Sequence, residues 1–79
     1  MSEINRPLLS VELVNGNDQV EIHCNEEGLS RLIEKLESLR TKQGDHIHLR
    51  AAEIGGNDLT DDLVGVKNKK IVELKVFNW

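Results

Sequence analysis

Aromatic residues are nearly missing from this chain. Phe77 and Trp79, both at its C-terminal end, are the only two, and there is no tyrosine. Any core must therefore be aliphatic, built from Leu, Ile and Val. Cysteine is reduced to Cys24. That excludes a disulfide framework within the chain and favours a cytoplasmic location over secretion. A lone cysteine also makes no zinc site without several histidines beside it. The opening Met-Ser-Glu-Ile-Asn-Arg-Pro lacks a basic start followed by an apolar run, so no signal peptide is expected. No apolar stretch approaches the ~20 residues of a membrane span. Positive charge is scarce too, and the net charge is −4. This argues against nucleic acid as the main partner, because phosphate binding needs clustered Lys and Arg. The nearest cluster, Lys67, Lys69 and Lys70 around Asn68, reads as a solvated turn.

What is present suits one small domain over residues 1–79, with residues 1–7 a loose leader that enters it at Pro7. Hydrophobic residues make up 38% of the chain, enough for a core and too much for a disordered tail. Leu8 to Val14 alternates Leu9, Val11 and Leu13 with Ser10 and Glu12, the period of a half-buried strand. Asn15-Gly16-Asn17-Asp18 then predicts a hairpin turn. Gln19 to Cys24 alternates again, with Val20, Ile22 and Cys24 inward and Gln19, Glu21 and His23 outward.

Asn25 is placed to cap a helix over about 26–42. Glu26 and Glu27 sit at its positive end, and Arg40 and Lys42 at its negative end. Leu29, Leu32, Ile33, Leu36 and Leu39 form its apolar stripe, and Gly44 suits a left-handed stop. Gly28, inside the first turn, reads as a mild cost. His46 to Ala51 is a third strand with Ile47, Leu49 and Ala51 inward. A loop from Glu53 to Asp62 hinges at Gly55 and Gly56. Ile71 to Phe77 is the last strand, with Val72, Leu74 and Val76 inward.

The order ββαββ predicts an α+β fold: a four-stranded, mostly antiparallel sheet with one amphipathic helix across one face. The opposite face would carry Ser10, Glu12, Glu21, His23, His46, His48, Arg50, Glu73 and Lys75, with Ile71, Phe77 and Trp79 sharing its parity. A polar face of this kind meets either water or a polar partner.

No catalytic signature matches the chain, and no enzymatic role is expected. His46 and His48 project from one side of a strand, roughly 6 to 7 Å apart by strand rise. Were His23 beside them, three imidazoles and Glu21 could hold zinc. Alternating histidines on a solvated strand are more often surface residues, so neither metal nor cofactor is expected. His23 and Cys24 are neighbours in a strand and face opposite sides, which excludes a Cys–His nucleophile. Gly55-Gly56-Asn57-Asp58 lacks the lysine and following helix of a phosphate-binding loop. Asp58, Asp61 and Asp62 suit either a solvated loop or a basic protein surface.

The acidic entry into a leucine-rich helix, then Gly44-Asp45-His46-Ile47-His48-Leu49, the Gly55-Gly56-x-x-Leu59-Thr60 loop and the final Val72, Leu74 and Val76 together resemble the immunity protein 32 family of bacterial polymorphic toxin systems. The resemblance covers roughly residues 20–77. One departure is Ala51-Ala52-Glu53-Ile54, where an aromatic is expected before the glycines. The resemblance implies a cytoplasmic binding protein that neutralises a cognate toxin domain by protein–protein contact, with no cofactor. The expected contact residues are His46, His48 and Arg50 on the open face and Asp58, Asp61 and Asp62 in the loop. Two other readings stay open: a homodimeric structural module paired through the edge ending in Phe77 and Trp79, and a metal-binding protein using His23, His46 and His48.

Overall fold

The computed structural model describes residues 6–16 and 18–79. Most of the expected leader, and Asn17 of the expected hairpin turn, lie outside the described residues. The protein is α+β. Strand β1 (Leu9–Leu13) and strand β2 (Val20–Cys24) are followed by helix α1 (Glu26–Arg40) and strand β3 (His46–Arg50), then by β4 (Lys69–Lys70) and β5 (Glu73–Phe77). A single turn of 3-10 helix, Ala52–Ile54, follows β3.

Among the described residues all pairing is antiparallel, in two sheets ordered β2-β1-β4 and β3-β5. The expected single four-stranded sheet is thus divided, because the last strand breaks at Ile71–Val72. Both sides of the break remain tied: the Ile71 N–H donates to the Val11 carbonyl at 2.8 Å, and the Ala51 N–H donates to the Val72 carbonyl at 2.9 Å. One continuous segment therefore serves β1 with its first half and β3 with its second. Ile71 and Val72 both pack against the core. The alternation predicted from Ile71 onward holds from Glu73 to Phe77, and Ile71 does not face outward.

The hairpin closes where the sequence predicts it, with the Val14 N–H donating to the Gln19 carbonyl at 2.9 Å and Gly16 at φ 111°. Asn25 caps α1 by accepting from the Gly28 N–H at 2.9 Å. The same oxygen accepts from the Leu8 N–H at 2.9 Å, fixing the entry of β1 on the helix N-terminus. That close approach explains Gly28: a β-carbon there would overlap the Leu8 carbonyl oxygen. The helix ends at Arg40, two residues short of the predicted bound, and Thr41 caps it without a left-handed residue. Asn78 takes over the free carbonyls, its amide donating to Leu39 O at 2.9 Å and Arg40 O at 3.3 Å. Gly44 does adopt positive φ (83°), but in the following turn, where its N–H donates to the Asn78 carbonyl.

The core is small: Leu9, Val11, Leu49, Ala51 and Leu59, with Cys24, Leu32, Ile71, Val72 and Leu74 packed against it. Thr60 fastens the loop to β1. Its N–H and hydroxyl both donate to the Leu9 carbonyl, at 2.8 and 3.0 Å, while its oxygen accepts from the Leu9 N–H at 3.2 Å.

Two expectations about facing fail. Ser10 and Glu12 do not face solvent; both are buried, Glu12 with 0% exposure. The chain from Val64 to Asn68 lies against that side of β1 and directs donors onto the carboxylate. Conversely, Val20 and Ile22 share the helix-bearing face with Leu13 and Val11, yet both are exposed. The helix explains this. Gly28 and Leu39 are buried and Leu32 packs on the core, while Leu29, Ile33 and Leu36 are turned outward at 45%, 49% and 41% exposure.

Candidate functional site

Period-2 geometry places His46, His48 and Arg50 on one face of β3, as the sequence predicts. Pairing with β5 sets Phe77 opposite His46, Lys75 opposite His48 and Glu73 opposite Arg50. Directly opposed residues in an antiparallel pair share a face. Ile47 and Leu49, with partners Val76 and Leu74, take the other face. The histidines are therefore not tucked under α1.

On this face the side chains form a continuous ladder. Trp79 stacks on Phe77 with ring centroids 5.7 Å apart and planes 6° from parallel. Phe77 stacks on His46 at 4.8 Å. His46 meets His48 edge-on, with their Nε2 atoms 3.0 Å apart. His48 Nδ1 lies 2.8 Å from a Glu73 carboxylate oxygen, which also accepts from Arg50 Nε at 2.8 Å. A carboxylate only accepts, so Nδ1 of His48 carries the proton; in the neutral ring Nε2 is then the acceptor for His46. Arg50 first, and His48 second, hold the Glu73 carboxyl below its ordinary range. His46, His48, Glu73 and Arg50 thus each have a polar partner within the ladder, and one end is an aromatic stack left open. Trp79 is 85% exposed, so it is a projecting ring rather than a lid on the core.

The predicted loop aspartates are placed differently. Asp58 stays with β3: its carboxylate accepts from the Arg50 N–H at 3.1 Å, and it lies 3.6 Å from Lys35 on the helix. Asp61 pairs with Lys70 at 3.2 Å and Asp62 with Arg6 at 2.9 Å. Each of the three has a basic neighbour, so the loop is not a bare acidic patch. Glu73, Phe77 and Trp79 were absent from the expected contact set although their parity was visible. What the sequence did not carry was the register that stacks Phe77 on His46.

The three histidines do not converge. His23 belongs to the other sheet, where its Nε2 lies 2.9 Å from Glu21 and 3.7 Å from Glu12. Among the described residues, Glu12, Glu21 and His23 place one potential ligand atom each within 4.8 Å of one another. Glu12, however, already accepts from Ser10 Oγ at 2.6 Å, Val64 N–H at 2.7 Å, Gly65 N–H at 2.9 Å and Asn68 Nδ2 at 2.9 Å. A cation there would compete with four donors for one carboxylate. This cluster is explained as the anchor of the 64–68 loop.

A concavity of about 530 Å³ runs between α1 and the sheets, lined by Leu9, Arg31, Glu34, Lys35, Ser38, Leu49 and Asp58. None of the ladder residues lines it. The geometry therefore defines a one-helix α+β domain with a polar-to-aromatic ladder on the open face of β3 and β5. A family model described as Immunity protein 32 matches residues 19–74. That is well over half of the chain, and the protein belongs to the Immunity protein 32 family. Family membership carries the general role of toxin neutralisation and, with it, a protein partner. Comparisons with curated proteins and with solved structures returned no match. No helix of the described residues is long and apolar enough to cross a membrane.

Proposed function

We propose that the protein neutralises its cognate toxin domain by direct contact through the open face of β3 and β5, acting in the cytoplasm of the producing cell. His46, His48 and Arg50 form the centre of the contact, Glu73 holds them in place, and Phe77 with Trp79 supplies an aromatic anchor. Asp58, Asp61 and Asp62 add complementary charge from the loop, each already beside a basic side chain. Their role is hydrogen bonding and complementary charge, with no bond made or broken and no cofactor. The observation that supports this reading is the ladder from Trp79 to Arg50. Its polar groups are fixed by one another before any partner arrives, which lowers the ordering cost of binding. Interfaces draw most of their affinity from a few aromatic and arginine side chains of this kind.

The test uses the cognate toxin domain, sought among the genes that neighbour this one. Trp79→Ala and Arg50→Ala should each weaken its binding tenfold to a hundredfold, from about 1.5 to 3 kcal/mol lost at a central contact. Growth protection in cells co-expressing the toxin should fall in the same order. Trp79 is 85% exposed and the Arg50 side chain 46%, so the melting temperature should move little. Full protection and unchanged affinity in the double variant would remove the face from consideration.

A further inference from the structure

Helix α1 exposes more of its apolar stripe than it buries. Leu29, Ile33 and Leu36 follow one another at spacings of four and three residues, the seam of a helix that packs on another helix. Val20 and Ile22 stand exposed on the helix-bearing side of the neighbouring edge strand. Scattered exposed apolar side chains are ordinary, but an ordered seam is the mark of a contact surface.

The charges at its ends indicate what covers it. Ile33 is the midpoint of Glu26–Arg40. A second copy laid antiparallel, with the two-fold axis at Ile33, brings Leu29 close to Leu36 of the other copy. It also sets acidic Glu26 against basic Arg40, which already pairs with Glu37 of its own helix at 2.8 Å, at both ends of the seam. A parallel copy would set like charges together, which is unfavourable. The antiparallel arrangement is self-complementary, as an isologous two-fold contact must be, and it opposes the two helix dipoles.

We propose that this face of α1, with the adjoining side of β2, is a homodimer interface. It is a surface separate from the ladder on β3 and β5, so one dimer would present two toxin-binding faces. The seam is only about 22 Å long at 1.5 Å per residue. It falls short of the ~800 Å² per partner of a standard interface unless β2 contributes, so dissociation on the order of micromolar is expected.

Sedimentation equilibrium from about 1 to 500 μM should show a monomer–dimer transition for the natural chain. Ile33→Glu, which sets two carboxylates across the axis, should raise the dissociation constant at least a hundredfold without lowering the melting temperature. Glu26→Lys and Arg40→Glu should each weaken the dimer severalfold, and an equal mixture of the two variants should regain it, because their end charges are again opposite. A natural chain monomeric throughout overturns the proposal, as does Ile33→Glu dimerising normally. Failure of the mixture to regain the dimer overturns the antiparallel arrangement. If the natural chain is monomeric and Ile33→Glu abolishes toxin protection, the face belongs to the toxin instead.

Discussion

Glu12→Leu should cost the protein about 4 kcal/mol, enough to leave so small a domain largely unfolded at room temperature. The carboxylate is fully buried, and four donors converge on it. Leucine fills the space but leaves Ser10, Asn68 and the Val64 and Gly65 amides without an acceptor. The loop that carries three of those donors would be released from β1. Glu12→Gln keeps the shape and one acceptor oxygen but turns an amide toward donors, so a loss of about 3 kcal/mol is expected. Urea midpoints order the variants. A Glu12→Leu protein as stable as the natural chain would mean that the carboxylate does not hold the loop.

The same residue sets a pH dependence. Burial by itself would raise the Glu12 pKa, but the hydrogen bonds from Ser10, Asn68, Val64 and Gly65 outweigh it and lower the value from 4.5 to about 2. The folded protein therefore binds this proton less readily than the unfolded chain. The stabilisation is complete above pH 4.5 and is lost as pH falls from there toward 2. At 1.36 kcal/mol per unit this amounts to about 3 kcal/mol. Glu37, Glu53 and Glu73 are lowered as well, so the natural chain loses stability over this range for several reasons. The diagnostic quantity is the difference between the natural chain and Glu12→Gln, which should shrink steadily between pH 4.5 and 2. A difference that stays constant with pH contradicts the assignment.

Gly28→Ala should destabilise the protein by about 2 to 4 kcal/mol, although alanine is the better helix former by roughly 1 kcal/mol. The added methyl group meets the Leu8 backbone, which is not a flexible neighbour. Leu8 is held from both sides, its N–H donating to the Asn25 side chain and its carbonyl accepting from the Asn25 N–H at 3.2 Å. Moving it away loosens the cap of α1 and the start of β1 together. Denaturant unfolding monitored by far-UV circular dichroism checks this, and a stabilised Gly28→Ala protein would show that the approach of Leu8 is slack.

The candidate site was half legible before the structure. Alternation alone sets His46, His48 and Arg50 on one face, because a strand offers only two. It also gives Glu73, Lys75 and Phe77 a common face on β5. Neither pattern states that the two strands are partners or that His46 stands opposite Phe77. The aspartates show the opposite limit. Composition marked Asp58, Asp61 and Asp62 as an acidic run, yet Lys35, Lys70 and Arg6, which neutralise them, come from three separate parts of the chain.

Local pattern determined what could be settled within a few residues: the capped helix, the hairpin, the strand faces and a core without aromatics. Hydrogen bonds and side-chain periods of that range are encoded next to where they act. Tertiary structure alone decided that Glu12 is buried, that the last strand divides its pairing between β1 and β3, and that Leu29, Ile33 and Leu36 look outward. Each of these depends on which distant segment arrives to cover a face. A side chain with the period of a core position is buried only if something packs on it, and a polar one stays in water only if nothing does.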